Sequence, residues 1–176
     1  HQAAAANAQD PLWNHTGTAI TAFGVYASGT LNATPTNIGG AVMGVQSTSM
    51  LCMSCHDGTV SVISMYNPPN SGTPSVTTIA NRIDTNGFII SNANVGTSLE
   101  NDHPVNFVYD TALYTLDGGL TGGLKDPAAT PAVAALLDGD EMVQCTSCHD
   151  VHDNTNVPFL VMSNNASALC TTCHTK

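Results

Sequence analysis

The pattern Cys-x-x-Cys-His occurs three times in this 176-residue chain and uses all six of its cysteines. The copies are Cys52–His56, Cys145–His149 and Cys170–His174. This spacing is the signature of c-type haem attachment, in which two thiols bond to the porphyrin and the histidine binds its iron. We therefore predict three covalently bound haem c groups. Their predicted binding residues are Cys52, Cys55, His56, Cys145, Cys148, His149, Cys170, Cys173 and His174.

Other uses of the cysteines explain the pattern less well. A structural zinc site takes four Cys or His ligands around one ion, and it would leave the histidine after each cysteine pair unexplained. A thioredoxin-like site needs one CxxC pair near a βαβ pattern. A disulfide scaffold normally shows more varied cysteine spacings. Haem attachment accounts for the cysteines and the histidines together.

The histidines outside the motifs are candidates for the second axial ligand of each iron. Three six-coordinate irons need six ligands, and the motifs supply three. Four of the seven histidines remain, which is enough to fill every distal position. We therefore favour bis-histidine ligation over methionine ligation, and we expect the six methionines to pack against the porphyrins. The predicted distal ligands are His15, His103 and His152, with His1 as the surplus histidine and reserve candidate.

The local sequence supports these assignments. Pro104 holds the preceding His103 in an extended backbone. His15 stands close to the only tryptophan, a candidate for packing on a haem face. His152 follows His149 by three residues, so on a short helix both rings would lie on the same side. We therefore expect His152 to ligate a neighbouring haem rather than the haem of its own motif.

The predicted fold is mostly irregular, with few short helices and strands. Serines before two of the motifs and a proline at residue 131 are typical helix-start residues. They predict helices over 52–56, 170–174 and 131–137. Short runs rich in β-branched and aromatic residues predict strands over 59–66, 88–90 and 105–109.

The length predicts a single domain, a multihaem cytochrome c fold built around three covalent haems. We expect one trihaem domain over residues 1–176. Two lobes are possible within it, 1–110 around the first haem and 111–176 around the second and third. Because the regular structure is sparse, we expect the porphyrins themselves to form much of the core.

The composition excludes some partners. Only 9% of the residues are charged, against about 25% in a typical soluble domain. Three basic and thirteen acidic residues give a net charge of −10, whereas nucleic acids and acidic membranes need basic patches. No apolar run approaches the roughly 20 residues that span a bilayer. The low charge is typical either of a neutral extracellular protein or of a surface covered by copies of the same chain.

Residues 145–174 resemble the doubled CxxCH module of bacterial and archaeal multihaem cytochromes c, and residues 51–60 resemble another part of such proteins. Pro11–His15 and Asp102–Val105 resemble further parts of such proteins. The resemblance implies bis-histidine haems, electron transfer, and kinship with extracellular cytochromes that polymerise into haem-threaded filaments. Members of this group often carry one more Cys-x-x-Cys-His-Thr-Pro-His motif before their Trp-Asn-His segment. His1 lies where that motif would end, which would account for the surplus histidine.

The favoured function is electron transfer along a row of three haems in an extracellular or cell-surface filament. The expected partners are further copies in a homopolymer, and redox proteins or extracellular electron acceptors. We do not expect an enzyme, because no Ser-His-Asp arrangement, spare cysteine or cationic anion site is evident. The alternative is a monomeric periplasmic carrier, and a multihaem reductase ranks third. The polar, alanine-rich start is what we expect after removal of a signal peptide.

Overall fold

The computed structural model describes residues 14–38, 47–67 and 82–175. The chain divides into two compact units. The first contains residues 1–25 and 37–102, and the second contains residues 26–36 and 103–176. The reserve ligand, His1, lies outside the described residues.

Regular secondary structure is sparse, as predicted. The helices are α1 (Thr48–His56), α2 (Thr111–Leu116), α3 (Pro131–Ala134) and α4 (Ala168–Cys173). Strands β1 (Phe107–Val108) and β2 (Met142–Val143) form an antiparallel pair in which Phe107 lies opposite Val143. Short 3₁₀ turns occur at Gly119–Thr121, Cys145–Ser147 and Asn165–Ser167. Within the described residues, no helix has the length and apolar character needed to cross a membrane.

The helix predictions agree with the structure better than the strand predictions. Helix α1 contains the first motif, and α4 contains both cysteines of the third. The two helices follow Ser47 and Ser167, although neither serine side chain caps its helix. Helix α3 begins at Pro131 and ends at Ala134, three residues before the predicted end. The N–H groups of Leu136 and Leu137 bond to carbonyls three residues earlier, so the chain tightens out of the α-helix.

The predicted strands over 59–66 and 88–90 did not form. Within the first run the N–H groups of Ser64 and Met65 bond to carbonyls two or three residues earlier, which makes turns. Met65 and Ile89 each form only an isolated bridge. The third predicted strand shortens to β1. A run of β-branched residues becomes a strand only where a partner segment is available, and the sequence pattern does not show that partner.

Residues 26–36 belong to the second unit because hydrogen bonds join them to Asn106. Thr36 donates to the Asn106 carbonyl through its backbone N–H and its hydroxyl, both at 3.0 Å. The Asn106 amide donates back to the Thr36 carbonyl at 3.0 Å. The boundary between the units therefore differs from the predicted lobes 1–110 and 111–176. The division of the haems between two lobes stays a prediction.

Asn106 offers a test of this arrangement. It is fully buried, has a left-handed φ of 62°, and accepts a hydrogen bond from the Gln144 amide at 3.1 Å. Asn106→Ala would leave buried partners unsatisfied and keep a strained backbone. We expect the free energy of unfolding to fall by about 2–4 kcal/mol, measured by denaturant unfolding of the holoprotein. The exposed Asn165→Ala variant is the control, and an equal effect of both substitutions would contradict this account.

Candidate haem sites

Helix α1 presents the first motif in the first unit. Its last turns carry Cys52, Cys55 and His56, and the Asp57 N–H closes the helix on the Met53 carbonyl at 3.1 Å. The His56 Nδ1 lies 2.6 Å from the Ala93 carbonyl oxygen. Donation of Nδ1–H to this carbonyl places the ring lone pair on Nε2. Metal-ligating histidines commonly have this arrangement, because the second hydrogen bond fixes the ring orientation.

His15 lies beside the first motif in the same unit. Its Nε2 is 3.0 Å from the Ser61 carbonyl oxygen and 3.8 Å from the Cys55 Sγ. Its Nδ1 is buried and has no hydrogen-bond partner among the described residues. A buried nitrogen without a partner is costly. The His15 ring therefore lies within reach of a haem on the first motif, and its ligation of that haem stays a prediction.

The second unit contains a cavity of about 520 Å³, which lies in the range of cofactor and ligand sites. Its wall is mainly apolar and includes side chains of the unit's hydrophobic core. Three thiols and two imidazoles complete the lining. The thiols and one imidazole come from the two motifs of this unit, and the other imidazole comes from a distal-ligand candidate. They belong to Cys148, Cys170, Cys173, His103 and His174. An apolar cavity with thiols at its edge suits a covalently attached porphyrin.

His103 and His174 face each other across a distance that fits one iron. Their ring centroids are 6.3 Å apart and their planes make an angle of 73°. A metal–imidazole bond is about 2.0 Å long, and the bound nitrogen lies roughly 1.1 Å from the centre of its ring. The centroids of two imidazoles bound to opposite sides of one metal should therefore be about 6 Å apart. The His103 Nδ1 lies 2.8 Å from the Pro104 carbonyl oxygen, which leaves Nε2 with the lone pair. The centroid spacing is therefore that expected of two imidazoles that would bind one iron.

His174 takes its position by leaving α4. Its backbone is extended, with φ −96° and ψ 150°, and it forms an antiparallel bridge with Leu124. The bridge is flanked by bonds from the Lys125 N–H to the Cys173 carbonyl at 2.8 Å and from the Thr175 N–H to the Gly123 carbonyl at 2.9 Å. The predicted helix over 170–174 therefore ends one residue early, at Cys173.

Tyr109 holds the two sides of this contact together. The side chain is buried, and its hydroxyl donates to the Lys125 carbonyl at 2.7 Å. The same oxygen accepts the Lys125 N–H at 3.2 Å and lies 3.2 Å from the Cys173 carbonyl. Burial raises the pKa of Tyr109 to about 12, and the neighbouring Cys173 adds to the rise. A neutral phenol thus helps to position the third motif.

The thiols of the second and third motifs lie close together. Burial raises the pKa of Cys148, and Cys170 adds to that rise. Burial also raises the pKa of Cys173, with a further contribution from Cys148. In the first motif, burial and then Asp57 raise the pKa of Cys55. Cys148, Cys170 and Cys173 line one cavity, so haems on these two motifs would be neighbours.

The backbone around His149 is not helical, so the helix assumed for the His149–His152 spacing was wrong. The 3₁₀ turn ends at Ser147, and His149 forms a bridge with Leu160. The His149 Nδ1 lies 3.1 Å from the Pro158 carbonyl oxygen, the same type of contact that His56 makes. His152 is exposed and is not part of the cavity wall. Its ligation of a neighbouring haem stays a prediction.

Sequence reasoning missed three side chains near the third motif. Tyr109 and Asp117 line the cavity, and the Lys125 ammonium donates to the Thr171 carbonyl of α4. The two glycine pairs that follow Asp117 were the available signal, because such a loop lets the backbone close around a side chain. No group of three or more Cys, His, Asp or Glu side chains in the described ranges could hold a free metal ion.

Residues 138–176 match the family model for the doubled CXXCH motif. The match contains the second and third motifs and supports a c-type cytochrome with paired haem-binding motifs and covalently bound haem c. The first motif lies outside the matched residues. No curated protein matches the chain significantly.

The Tyr109 hydroxyl gives a pH-dependent prediction. Tyr109→Phe should lower the free energy of unfolding by about 1 kcal/mol at neutral pH, because it removes the bond to Lys125. The folded-state pKa of about 12 lies above the ordinary value of about 10. The stability from this group is therefore complete below pH 10 and is lost as pH rises towards 12.

Denaturant unfolding at several pH values checks this prediction. The wild type should lose more stability than Tyr109→Phe between about pH 10 and pH 12. Tyr114→Phe is the control, since the Tyr114 hydroxyl makes no hydrogen bond within the described residues and lies in the same unit. Parallel alkaline profiles for wild type and Tyr109→Phe would contradict the assigned role.

Proposed function

We propose that the protein transfers electrons through three covalently bound, bis-histidine c-type haems. The doubled CXXCH match supports haem-based electron transfer. The observation that carries the proposal is the 6.3 Å spacing of His103 and His174 at a cavity lined by cysteines of two motifs. We assign His103 to the haem of His174, and His15 to the haem of His56. His152 and His1 remain for the iron of His149 and for haems of adjacent copies.

The chain's own residues would hold and tune the haems. When bound, each haem supplies a one-electron Fe(III)/Fe(II) couple. The cysteines would attach the porphyrin, and the histidines would bind its iron. The carbonyls of Ala93, Pro104 and Pro158 accept from ring nitrogens and set the orientation of three of these histidines. The apolar wall of the second-unit cavity limits water near the couple, which is one determinant of its potential.

We also propose that copies of this chain assemble into an extracellular or cell-surface filament that conducts electrons to redox proteins or extracellular acceptors. Only 9% of the residues are charged. The second unit exposes several large apolar side chains, and exposed apolar groups of this kind often mark interaction surfaces. They include Leu120 at 98%, Val157 at 74%, Leu116 at 66% and Val151 at 65% exposure. A head-to-tail contact between copies generates an open helix rather than a closed ring.

The haem count tests the core of the proposal. The purified holoprotein should contain three haems per chain by pyridine haemochrome assay and intact mass. The double variant Cys145→Ala/Cys148→Ala should contain two haems per chain. The control variant Thr146→Ala keeps the motif and should contain three haems. Neither carbon monoxide nor cyanide should bind the wild type. A different count would refute three haems, and ligand binding to the iron would favour a reductase.

His103→Met tests the axial assignment. Methionine in place of histidine raises a haem potential, so one of the three redox steps should move upwards. We expect at least about 100 mV, a fraction of the roughly 0.8 V that axial ligands span. Spectroelectrochemistry gives the shift, and a methionine–iron charge-transfer band should accompany it. Asn101→Met is the control, because Asn101 is exposed two residues before His103 and is not a candidate ligand. A His103→Met titration identical to that of the wild type would remove His103 from the ligand set.

Negative-stain microscopy of the native extracellular fraction tests assembly. We expect filaments whose subunit mass corresponds to this chain with its haems. Leu116→Asp/Leu120→Asp should weaken assembly while the haem count stays unchanged, and Thr115→Asp adds charge beside the same apolar pair as a control. A monodisperse holoprotein at about the chain mass, with no filaments, would instead support the monomeric periplasmic carrier.

A further inference from the structure

Asp117 is an acidic side chain fixed at the wall of the second-unit cavity. It follows α2, and its carboxylate accepts three hydrogen bonds. The Asn32 amide donates to Oδ1 at 3.0 Å, and the backbone N–H groups of Gly123 and Leu124 donate to Oδ2 at 2.7 and 2.9 Å. These donors hold the carboxylate in one position and favour its ionised form.

The loop after Asp117 folds closely around this carboxylate. A Cβ atom on Gly122 would lie 2.3 Å from the Asp117 carbonyl oxygen and 2.8 Å from its Oδ2, so no larger residue fits there. Gly118 has a φ of 107°, which L-residues rarely adopt. Glycine at these positions allows two backbone N–H groups to converge on one carboxylate oxygen.

The segment that holds Asp117 also holds His174. Leu124 donates to Asp117 and is the bridge partner of His174, and both Asp117 and His174 line the cavity. Burial would raise the pKa of Asp117, but its hydrogen bonds from Asn32, Gly123 and Leu124 bring the pKa below its usual value. Within the described residues the His174 ring makes no hydrogen bond, unlike the other motif histidines, His56 and His149.

We propose that the Asp117 carboxylate lowers the reduction potential of the haem held by Cys170, Cys173 and His174. This inference rests on the proposed haem site. One electron from the electrode or a redox partner converts Fe(III) to Fe(II), and the charge of a porphyrin iron with two neutral histidines falls from +1 to 0. A fixed negative charge stabilises the oxidised form more than the reduced form. Asp117 acts through its charge and is not an iron ligand.

Lys125 should have the opposite effect on the reduction potential of this haem. Its ammonium donates to the Thr171 carbonyl, and its charge acts on the neighbouring Cys173 thiol and counters the rise of that pKa. A positive charge beside the porphyrin edge favours the reduced form. Neutral substitutions at Asp117 and Lys125 should therefore move the same haem in opposite directions.

Spectroelectrochemistry of the holoprotein tests the proposal with Asp117→Asn and Lys125→Gln. The relevant haem is identified as the redox step absent from Cys170→Ala/Cys173→Ala. For Asp117→Asn we expect about a tenfold rise in the ratio of reduced to oxidised haem at a fixed potential, or about 59 mV. Lys125→Gln should lower the ratio. Asp138→Asn is the matched control, because Asp138 accepts backbone N–H bonds from Asp140 and Met142 but lies outside the cavity wall.

The variants distinguish an error in the proposed haem site from an error in the role of Asp117. If Cys170→Ala/Cys173→Ala keeps the wild-type haem count, the proposed site is wrong. If that haem is present and Asp117→Asn does not raise its potential, or Asp138→Asn raises it equally, the role of Asp117 is wrong. Asp117→Ser is the second variant, should the asparagine variant lose the haem, and it should show the same rise. Loss of this haem from both variants would overturn the inference and make Asp117 a structural residue.

Discussion

The geometry of the second unit depends on one short backbone contact, between residues 123–125 and 173–175. Its three components are the bridge from Leu124 to His174 and the flanking bonds made by Lys125 and Thr175. This contact takes the chain out of α4 and turns His174 towards His103. It also places the N–H groups of Gly123 and Leu124 where they bind Asp117. A few hydrogen bonds therefore position an iron-ligand candidate and a charge beside it.

Only a small hydrophobic cluster supports these few hydrogen bonds. The sheet of the second unit has two residues in each strand, which gives it little stability of its own. Its hydrophobic cluster is small and has Cys173 packed against it. A porphyrin bonded to Cys170 and Cys173 would extend this cluster with a large apolar surface. We therefore expect cofactor attachment and stable folding of this unit to be coupled, as in small metal-dependent domains.

The sequence was most informative where covalent chemistry fixes the spacing of residues. The three motifs predicted α1, α4 and the cysteines of the cavity, because two thiols and a histidine must fit one porphyrin. The sequence was least informative where a segment contacts another segment that is distant along the chain. The addition of residues 26–36 to the second unit depends on Asn106, and no local pattern indicates that contact. Asp117 was missed for the same reason, since its three donors come from two separate segments.

The scarcity of charge makes each charged side chain near a haem more important. With three basic and thirteen acidic residues in the chain, few other charges offset Asp117 or Lys125. At an exposed site, water and salt would weaken their effect on a haem. Assembly would remove that water, because a neighbouring copy covering the apolar surface of the second unit lowers the local dielectric constant and strengthens every fixed charge beneath it. In the proposed filament, single carboxylates and ammonium groups would therefore have a larger influence on the haem potentials.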